Sequence, residues 1–154
     1  MSKLYCDGSC NPSSLPYAWA TVVDEESKDV VRANIGLFND LKLKEFDCRI
    51  IAETYFGDVV SQQNNGAELV GLVMALRIAL KNNNINEIFC DSQLLVDYWS
   101  KKDGVNKKTK TKMDPNKSKY VDECVMLREQ FEKRGSKITK ISGKLNKADL
   151  GFHR

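Results

Sequence analysis

Histidine, proline and paired cysteines are scarce in this chain of 154 residues. It has one histidine, His153, three prolines and five cysteines, and no two cysteines form a Cys-x-x-Cys pair. A structural zinc site needs close cysteine pairs, or histidines to complete four ligands, so this class of site is disfavoured. The odd number of cysteines favours reduced thiols that pack as small apolar groups, as in an intracellular, reducing compartment such as the cytoplasm or nucleus.

Long apolar runs are absent as well. No stretch approaches the roughly 20 apolar residues that a membrane-spanning helix needs, and residues 1–5 form no charged leader followed by an apolar segment. We therefore expect neither a membrane segment nor a secretory signal. The composition, 42% hydrophobic and 29% charged, is typical of a globular protein, and the length favours a single domain over residues 1–154, which we expect to be monomeric.

Positive charge is concentrated in one segment, although the net charge is only +3. Residues 101–119 contain eight lysines against two acidic residues, Asp103 and Asp114. Such a run is commonly a solvated loop, but clustered lysines also attract the phosphates of nucleic acids. The run alone leaves both interpretations open. The candidate phosphate contacts in it are Lys107, Lys108, Lys110 and Lys112.

The hydrophobic pattern predicts an alternation of strands and helices. Strands are expected at residues 3–9, 17–24, 51–60, 85–90 and 137–142. Helices are expected at residues 66–81, 94–101 and 118–134, with one or two helical turns in 147–154 and a lysine-rich loop before the third helix. Asn64 and Asn65 offer N-cap chemistry to the first helix. Residues 25–50 show no clear pattern, although Val30 and Val31 fit a strand. This order predicts a mixed α/β sheet in which the 85–90 strand runs parallel to the first.

Three acidic residues occupy unusual places in these elements. Asp7 lies inside an apolar strand, where an unpaired charge costs several kcal/mol, about 3 or more. Asp91 follows the 85–90 strand directly, at the edge where α/β sheets bind ligands, although it could also cap the next helix. Glu68 shares the apolar face of the long helix, although it could also simply complement the helix dipole.

The fold is expected to bring these three carboxylates to one region. Carboxylates that lie close together repel one another unless a cation joins them. A site with only oxygen ligands selects hard ions such as Mg²⁺ or Mn²⁺. The residues themselves therefore predict a divalent-metal site.

Four segments of the chain, in this order and spacing, look like the signature segments of type 1 ribonuclease H. They are Asp7-Gly8-Ser9, Asn64-Asn65-Gly66-Ala67-Glu68-Leu69, Asp91-Ser92-Gln93 and Asn146-Lys147-Ala148-Asp149. The resemblance spans essentially the whole chain. It implies a ribonuclease H-like α/β fold, in which helices flank a five-stranded mixed sheet whose second strand is antiparallel to its neighbours.

The resemblance also implies the chemistry. The family's catalytic, metal-binding carboxylates correspond to Asp7, Glu68, Asp91 and Asp149. They would hold two Mg²⁺ ions, with Mn²⁺ as a substitute, and Asp7 would bridge both. One ion would activate water for in-line attack on a phosphate of the RNA strand of an RNA–DNA hybrid, and the other would stabilise the leaving 3′ oxygen. The products would carry 5′-phosphate and 3′-hydroxyl ends.

Substrate contacts can be carried over in the same way. Asn65 and Gln93 match family positions that contact the minor groove or ribose hydroxyls, and the 2′-hydroxyl distinguishes RNA from DNA. Asn11 matches a position in the loop after the first strand, and Gln63 stands where many members have a threonine that binds a DNA phosphate. The family's histidine-bearing loop is replaced by residues 142–146, which leaves Lys144 as the candidate cation for product release.

Two other functions fit the same features. A related nuclease of this fold could act on branched DNA or duplex RNA, because the fold alone does not set the substrate. A binding module could have kept the fold and lost catalysis, but four intact carboxylates argue against that interpretation. Asn65 and Gln93 favour the RNA–DNA hybrid.

Overall fold

The structure is a computed structural model that describes residues 2–11, 17–34, 49–55, 63–113 and 115–148. Its strands are β1 (Ser2–Asn11), β2 (Tyr17–Asp24), β3 (Asp29–Asn34), β4 (Arg49–Tyr55), β5 (Ile85–Cys90) and β6 (Lys137–Lys140). Its helices are α1 (Gln63–Leu80), α2 (Lys107–Lys112) and α3 (Pro115–Lys133), with a π-helical segment at Leu95–Trp99 and a 3₁₀ turn at Gly143–Leu145.

The strands form one mixed sheet in the order β4-β3-β2-β1-β5-β6. β2 is antiparallel to both of its neighbours, whereas β5 pairs in parallel with β1 and with β6. This arrangement confirms the predicted α/β class, the antiparallel second strand and the parallel pairing of the first strand with residues 85–90. Five of the strands make up the mixed sheet implied by the resemblance, and β4 adds a sixth, parallel to β3, at one edge.

The main core lies between the sheet and α1. Leu4 and Cys6 of β1 and Val22 of β2 point to this side and are buried, and α1 is buried along most of its length. α3 packs beside α1, and the guanidinium of Arg77 donates to both carboxylate oxygens of Glu123 across that contact, at 2.5 and 2.7 Å. α1 is therefore held both by the sheet and by a second helix.

A smaller cluster occupies the other face of the sheet. It contains Tyr5, Val23, Val30 and Ala148. Tyr5 and Val23 alternate with Leu4 and Val22 along their strands, as the two-residue period of a strand requires. Ala148 lies on this face of the sheet together with Tyr5 of β1. It is held there by the hydroxyl of Thr21 in β2, which donates to the carbonyl oxygen of Ala148 at 2.7 Å.

Several predicted boundaries differ from the observed ones. α1 begins at Gln63, so Asn64 and Asn65 lie within its first turn and not at its cap. The last predicted strand ends at Lys140, and the 56–60 part of the 51–60 strand lies outside the described residues. Of the predicted final helical region, 147–154, only residues 147 and 148 are described, and they form a turn.

The predicted helix at 94–101 is present but is wound more widely. The backbone N–H of Ser100 donates to the carbonyl of Leu95 at 3.1 Å, five residues earlier, and the Ser100 hydroxyl donates to the same oxygen at 2.6 Å. The buried guanidinium of Arg128 from α3 donates to the carbonyl of Val96 and to the Ser100 hydroxyl. These contacts end the helix at Trp99.

The lysine-rich segment was expected to be a loop, and this prediction was wrong for its middle part. Residues 107–112 form α2. Its N-cap is Asn106, whose side-chain oxygen accepts a hydrogen bond from the backbone N–H of Thr109 at 2.8 Å. An asparagine cap satisfies one of the free N–H groups of the first turn, and this local signal outweighed the high charge of the segment.

Within the described residues, no helix is both long enough and apolar enough to cross a membrane.

Candidate active site

Asp7 reaches the site from the central strand. It follows the buried Cys6 in β1, and its backbone pairs with Thr21 of β2. β1 also pairs with β5 in parallel register, so that Cys6 lies opposite Cys90. Because Asp7 and Asp91 each follow one member of that pair, the register places these two residues side by side, at the point where β5 ends.

Glu68 reaches the site because α1 passes unusually close to β1. A Cβ atom on Gly8 would overlap the backbone of Ala67 and Glu68, and a Cβ atom on Gly71 would lie 2.8 Å from the carbonyl oxygen of Asp7. Gly8 of β1 lies against α1, and Gly71 of α1 lies against β1. Neither residue has a side chain that would keep the helix and the strand apart. Glu68, which lies between Ala67 and Gly71 in sequence, is thereby brought towards Asp7.

The three carboxylates form one cluster. Asp7, Glu68 and Asp91 each offer one oxygen atom, these atoms all lie within 4.8 Å of one another, and each residue is partly buried. This confirms the predicted convergence of the three residues. Oxygen atoms at this spacing, with no sulfur or imidazole among them, are a donor set that suits a hard divalent cation.

The environment of the cluster changes the pKa of Glu68. Burial, followed by the nearby negative charge of Asp91, raises the pKa of Glu68 from 4.5 to about 7, while a hydrogen bond with the Ser92 side chain acts in the opposite direction. Two like charges held together resist full ionisation unless a cation is present. Without a cation, Glu68 therefore keeps its proton to a higher pH than an exposed glutamate does.

Ser92 has two roles beside Asp91. Its side chain forms the hydrogen bond with the Glu68 carboxylate that favours the ionised form. Its hydroxyl oxygen also accepts from the backbone N–H of Leu95 at 3.3 Å, which starts the following helical segment. Sequence reasoning included Ser92 only as part of a motif and assigned it no such contacts.

Asn146 is a second contributor that sequence reasoning missed. Its buried amide donates to the Asp91 carboxylate at 3.1 Å and to the carbonyl oxygen of Cys6 at 2.9 Å. Its side-chain oxygen accepts from the backbone N–H of Ala148 at 3.0 Å, which agrees with the expected local turn. The sequence signal for it was its place in the fourth signature segment.

The fourth predicted carboxylate, Asp149, lies outside the described residues, as does His153. The chain is described up to Ala148. The hydrogen bonds of Asn146 place that residue beside Asp91 and β1. The assignment of Asp149 as a metal ligand stays a prediction.

Two of the four predicted substrate-contacting side chains are described. Asn65 is exposed on α1, three residues before Glu68 and hence on the same side of the helix. Gln93 is exposed two residues after Asp91. Asn11 ends β1 and Gln63 begins α1, but their side chains lie outside the described residues. Lys144 is exposed in the 3₁₀ turn, two residues before Asn146.

The four predicted phosphate-contacting lysines all lie on α2. Lys107 and Lys110 line a cavity of about 450 Å³ between α2 and α3, together with Lys101 and Lys102. Lys110 also forms an ion pair with Asp122 of α3, the one ion pair that involves these four lysines within the described part of the chain. The remaining two of these four lysines, Lys108 and Lys112, are four residues apart and exposed.

A family model described as RNase H matches residues 2–148 of the chain. The match includes the three clustered carboxylates and Asn146. No curated protein matches the chain.

Proposed function

Since this chain belongs to the ribonuclease H family, and is by that membership a nuclease and hydrolase, we propose that it cuts the RNA strand of RNA–DNA hybrids with the help of two Mg²⁺ ions. The cut would leave 5′-phosphate and 3′-hydroxyl ends. The observation that carries the proposal is the cluster of Asp7, Glu68 and Asp91, whose oxygen atoms lie within 4.8 Å of one another.

The residues of the cluster fit the proposed ions. They supply only oxygen donors, they are partly buried, and burial together with the charge of Asp91 raises the pKa of Glu68, so that a bound cation would favour its ionised form. Asp7, Glu68 and Asp91 would hold the metal, and Asp149 is proposed as a fourth ligand. When bound, two such ions supply an activated water and stabilise the charge on the leaving oxygen.

The protein's own task at this site is to hold the carboxylates in place. The register of β1 and β5 positions Asp7 and Asp91, and the close approach of α1 positions Glu68. Ser92 and Asn146 each hydrogen-bond to one carboxylate. Asp7 therefore lies on a strand, Glu68 on a helix and Asp91 directly after a strand, which suits a reaction that requires a fixed spacing of groups.

Selection of the hybrid is proposed to depend on side chains around the cluster. Asn65 and Gln93 are exposed close in sequence to Glu68 and Asp91, where an amide could hydrogen-bond to a ribose 2′-hydroxyl or a base edge in the minor groove. Asn11 and Gln63 are proposed as further contacts. The α2 lysines, Lys107, Lys108, Lys110 and Lys112, would bind phosphates, and Lys144 would assist product departure.

A cleavage assay tests the proposal. The substrates are one labelled hybrid in Mg²⁺ and, beside it, duplex DNA, duplex RNA and a branched DNA of matched sequence. We expect cleavage of the RNA strand of the hybrid only, no cleavage in EDTA, and 3′-hydroxyl ends that a polymerase extends. Preferential cutting of branched DNA or duplex RNA would assign a different substrate, and binding without cutting would indicate an inactive module.

A further inference from the structure

The Asn146 side chain connects three separate parts of the active site. It is 5% exposed, and its two amide hydrogens go to two different acceptors. One goes to the carbonyl oxygen of Cys6, in the peptide unit that leads into Asp7, at 2.9 Å. The other goes to Oδ2 of Asp91 at 3.1 Å, while Oδ1 of Asn146 accepts from Ala148. The residues it connects are 140 and 55 positions away in sequence.

The hydrogen-bond network fixes the orientation of this amide. With nitrogen and oxygen exchanged, the amide oxygen would face two acceptors, and its NH₂ group would face the N–H of Ala148. An aspartate of the same size could keep the bond to Ala148 but would turn an oxygen towards the Cys6 carbonyl and the Asp91 carboxylate. The position therefore requires a donor on one side and an acceptor on the other.

The amide is also neutral, and that matters beside a carboxylate cluster. A lysine or arginine at this place could orient Asp91 equally well, but its charge would compete with a divalent cation for the carboxylate. A neutral donor fixes the orientation of the carboxylate and leaves its negative charge in place. Such outer contacts to metal ligands typically change metal affinity by roughly 10- to 100-fold when they are removed.

We propose that Asn146 is a positioning residue of the metal site, which fixes the Asp91 carboxylate relative to Asp7 through the bonds to Asp91 and Cys6. The inference rests on the proposed metal-dependent function. It adds that the affinity for the divalent ion, and not only the stability of the fold, depends on this neutral side chain.

Binding of Mn²⁺ to the full chain, measured from the electron paramagnetic resonance signal of free Mn²⁺, tests the proposal without any substrate. Asn146→Ala should weaken binding roughly 10- to 100-fold. Asn146→Asp is the sharper variant, because it adds a negative charge and keeps the acceptor for Ala148. Positioning predicts weaker Mn²⁺ binding in Asn146→Asp, whereas the added charge alone would make binding tighter.

A double-mutant cycle shows whether Asn146 acts through Asp91. In an Asp91→Asn background, Asn146→Ala should change Mn²⁺ affinity by less than about twofold. Ser2→Ala is the matched control. It removes another side-chain hydrogen bond, which is partly buried and joins the Ser2 hydroxyl to Asp24 at 2.8 Å, at the start of β1. It should lower the melting temperature in EDTA and leave Mn²⁺ affinity unchanged.

Several results would overturn the inference. They are a parent-like affinity in both Asn146 variants, tighter binding by Asn146→Asp, or an equal loss with and without Asp91. If Asn146→Ala does not fold, Asn146→Asp decides the question alone. A parent protein that binds no Mn²⁺ would overturn the proposed function and this inference together. Normal binding that is insensitive to Asn146 would overturn only the inference.

Discussion

A Cβ atom on Gly71 would lie 2.8 Å from the carbonyl oxygen of Asp7, closer than a side chain can approach backbone without displacing it. Gly8 makes the reciprocal approach from β1 to the backbone of α1. The strand that carries Asp7 and the helix that carries Glu68 are therefore in backbone contact. The spacing of the carboxylates depends on the absence of two methyl groups.

Gly71→Ala should accordingly destabilise the protein and impair the site. Alanine gains about 1 kcal/mol over glycine in a helix interior, but forcing an extra methyl into a packed contact costs about 1–3 kcal/mol. Since the neighbouring atom is backbone, we expect the steric cost to prevail, with a melting temperature lower by up to several degrees. Displacement of α1 should also weaken Mg²⁺ activation of hybrid cleavage.

Gly143→Ala is the matched control, because a Cβ atom there would lie 3.6 Å from Oδ2 of Asp91, an ordinary contact distance. Its melting temperature should stay close to that of the parent. A Gly71→Ala protein that is more stable than the parent and fully active would contradict this prediction. It would show that the contact between α1 and β1 accommodates an added methyl group.

The carboxylates themselves should differ in importance. Asp7→Asn should abolish hydrolysis and leave hybrid binding largely intact, because a proposed ligand of both ions is lost while the shape is kept. Asp149→Asn should reduce turnover less, because it would remove a ligand of one ion. The measurements are single-turnover cleavage and hybrid binding for each variant. Asp7→Asn cleavage within about tenfold of the parent, or Asp149→Asn cleavage at the parent rate, would remove that residue from the site.

The sequence was informative where an acidic residue occupied an unusual position in a predicted strand or helix. Asp7 in an apolar strand, Asp91 at a strand end and Glu68 on an apolar helix face could each be recognised locally, and the fold brought them together as predicted. The β1–β5 pairing followed from the general preference for parallel strands in α/β order. The local pattern therefore contained most of the information about the carboxylate cluster.

Contacts between distant residues could not be predicted in this way. The bonds of Asn146 to Cys6 and Asp91 span 140 and 55 residues, and no local pattern encodes such partners. The 51–60 strand was predicted and overlaps β4, but β3 was indicated only by Val30 and Val31, because residues 25–50 lack a clear alternation. The parallel pairing of β3 with β4, which contains a register shift after Val30, could not be predicted from the local pattern. α2 was not predicted because a run of lysines is typical of a solvated loop, and the Asn106 cap is the one local signal for a helix there.

The geometry of α2 predicts that its lysines contribute unequally to hybrid binding. Lys108 and Lys112 lie on one side of the helix, because residues four apart are neighbours on a helix surface, and both are exposed. Lys110 is in an ion pair with Asp122. The Lys108→Ala/Lys112→Ala protein should therefore lose up to about 1.4–1.8 of the log–log salt slope of binding, at about 0.7–0.9 per phosphate contact. Lys110→Ala should lose less.

The measurement is the binding of an uncut hybrid over a series of salt concentrations, in an Asp7→Asn background so that no cleavage occurs. Lys133→Ala, an exposed lysine at the end of α3, is the control for a change in net charge. A salt slope that is the same in the double variant and the parent would mean that the exposed face of α2 does not touch the hybrid.

The raised pKa of Glu68 predicts how stability depends on pH when no metal is present. Between pH 4.5 and about 7, the folded protein holds a proton on Glu68 that the unfolded chain has released, so the free energy of unfolding falls as pH rises through this window. Above pH 7, Glu68 is ionised in both the folded and the unfolded state, and the full destabilisation of the folded state is present. A shift of this size corresponds to at most about 3 kcal/mol. Glu68→Gln removes the ionisable group and should abolish this part of the pH dependence.

Thermal melts in EDTA from pH 4.5 to pH 8 test this directly. Glu68→Gln and the parent should be close in stability at pH 4.5, and the variant should melt several degrees higher at pH 8, because about 1 kcal/mol moves the midpoint by roughly 2–4 °C in a chain of this size. Glu26→Gln, exposed in the turn after β2, should follow the parent at every pH. Mg²⁺ should reverse the parent's decline, since a metal ligand must be ionised and binding then strengthens as pH rises towards 7. A variant that is clearly less stable than the parent at pH 8 in EDTA would show that Glu68 is not under electrostatic strain.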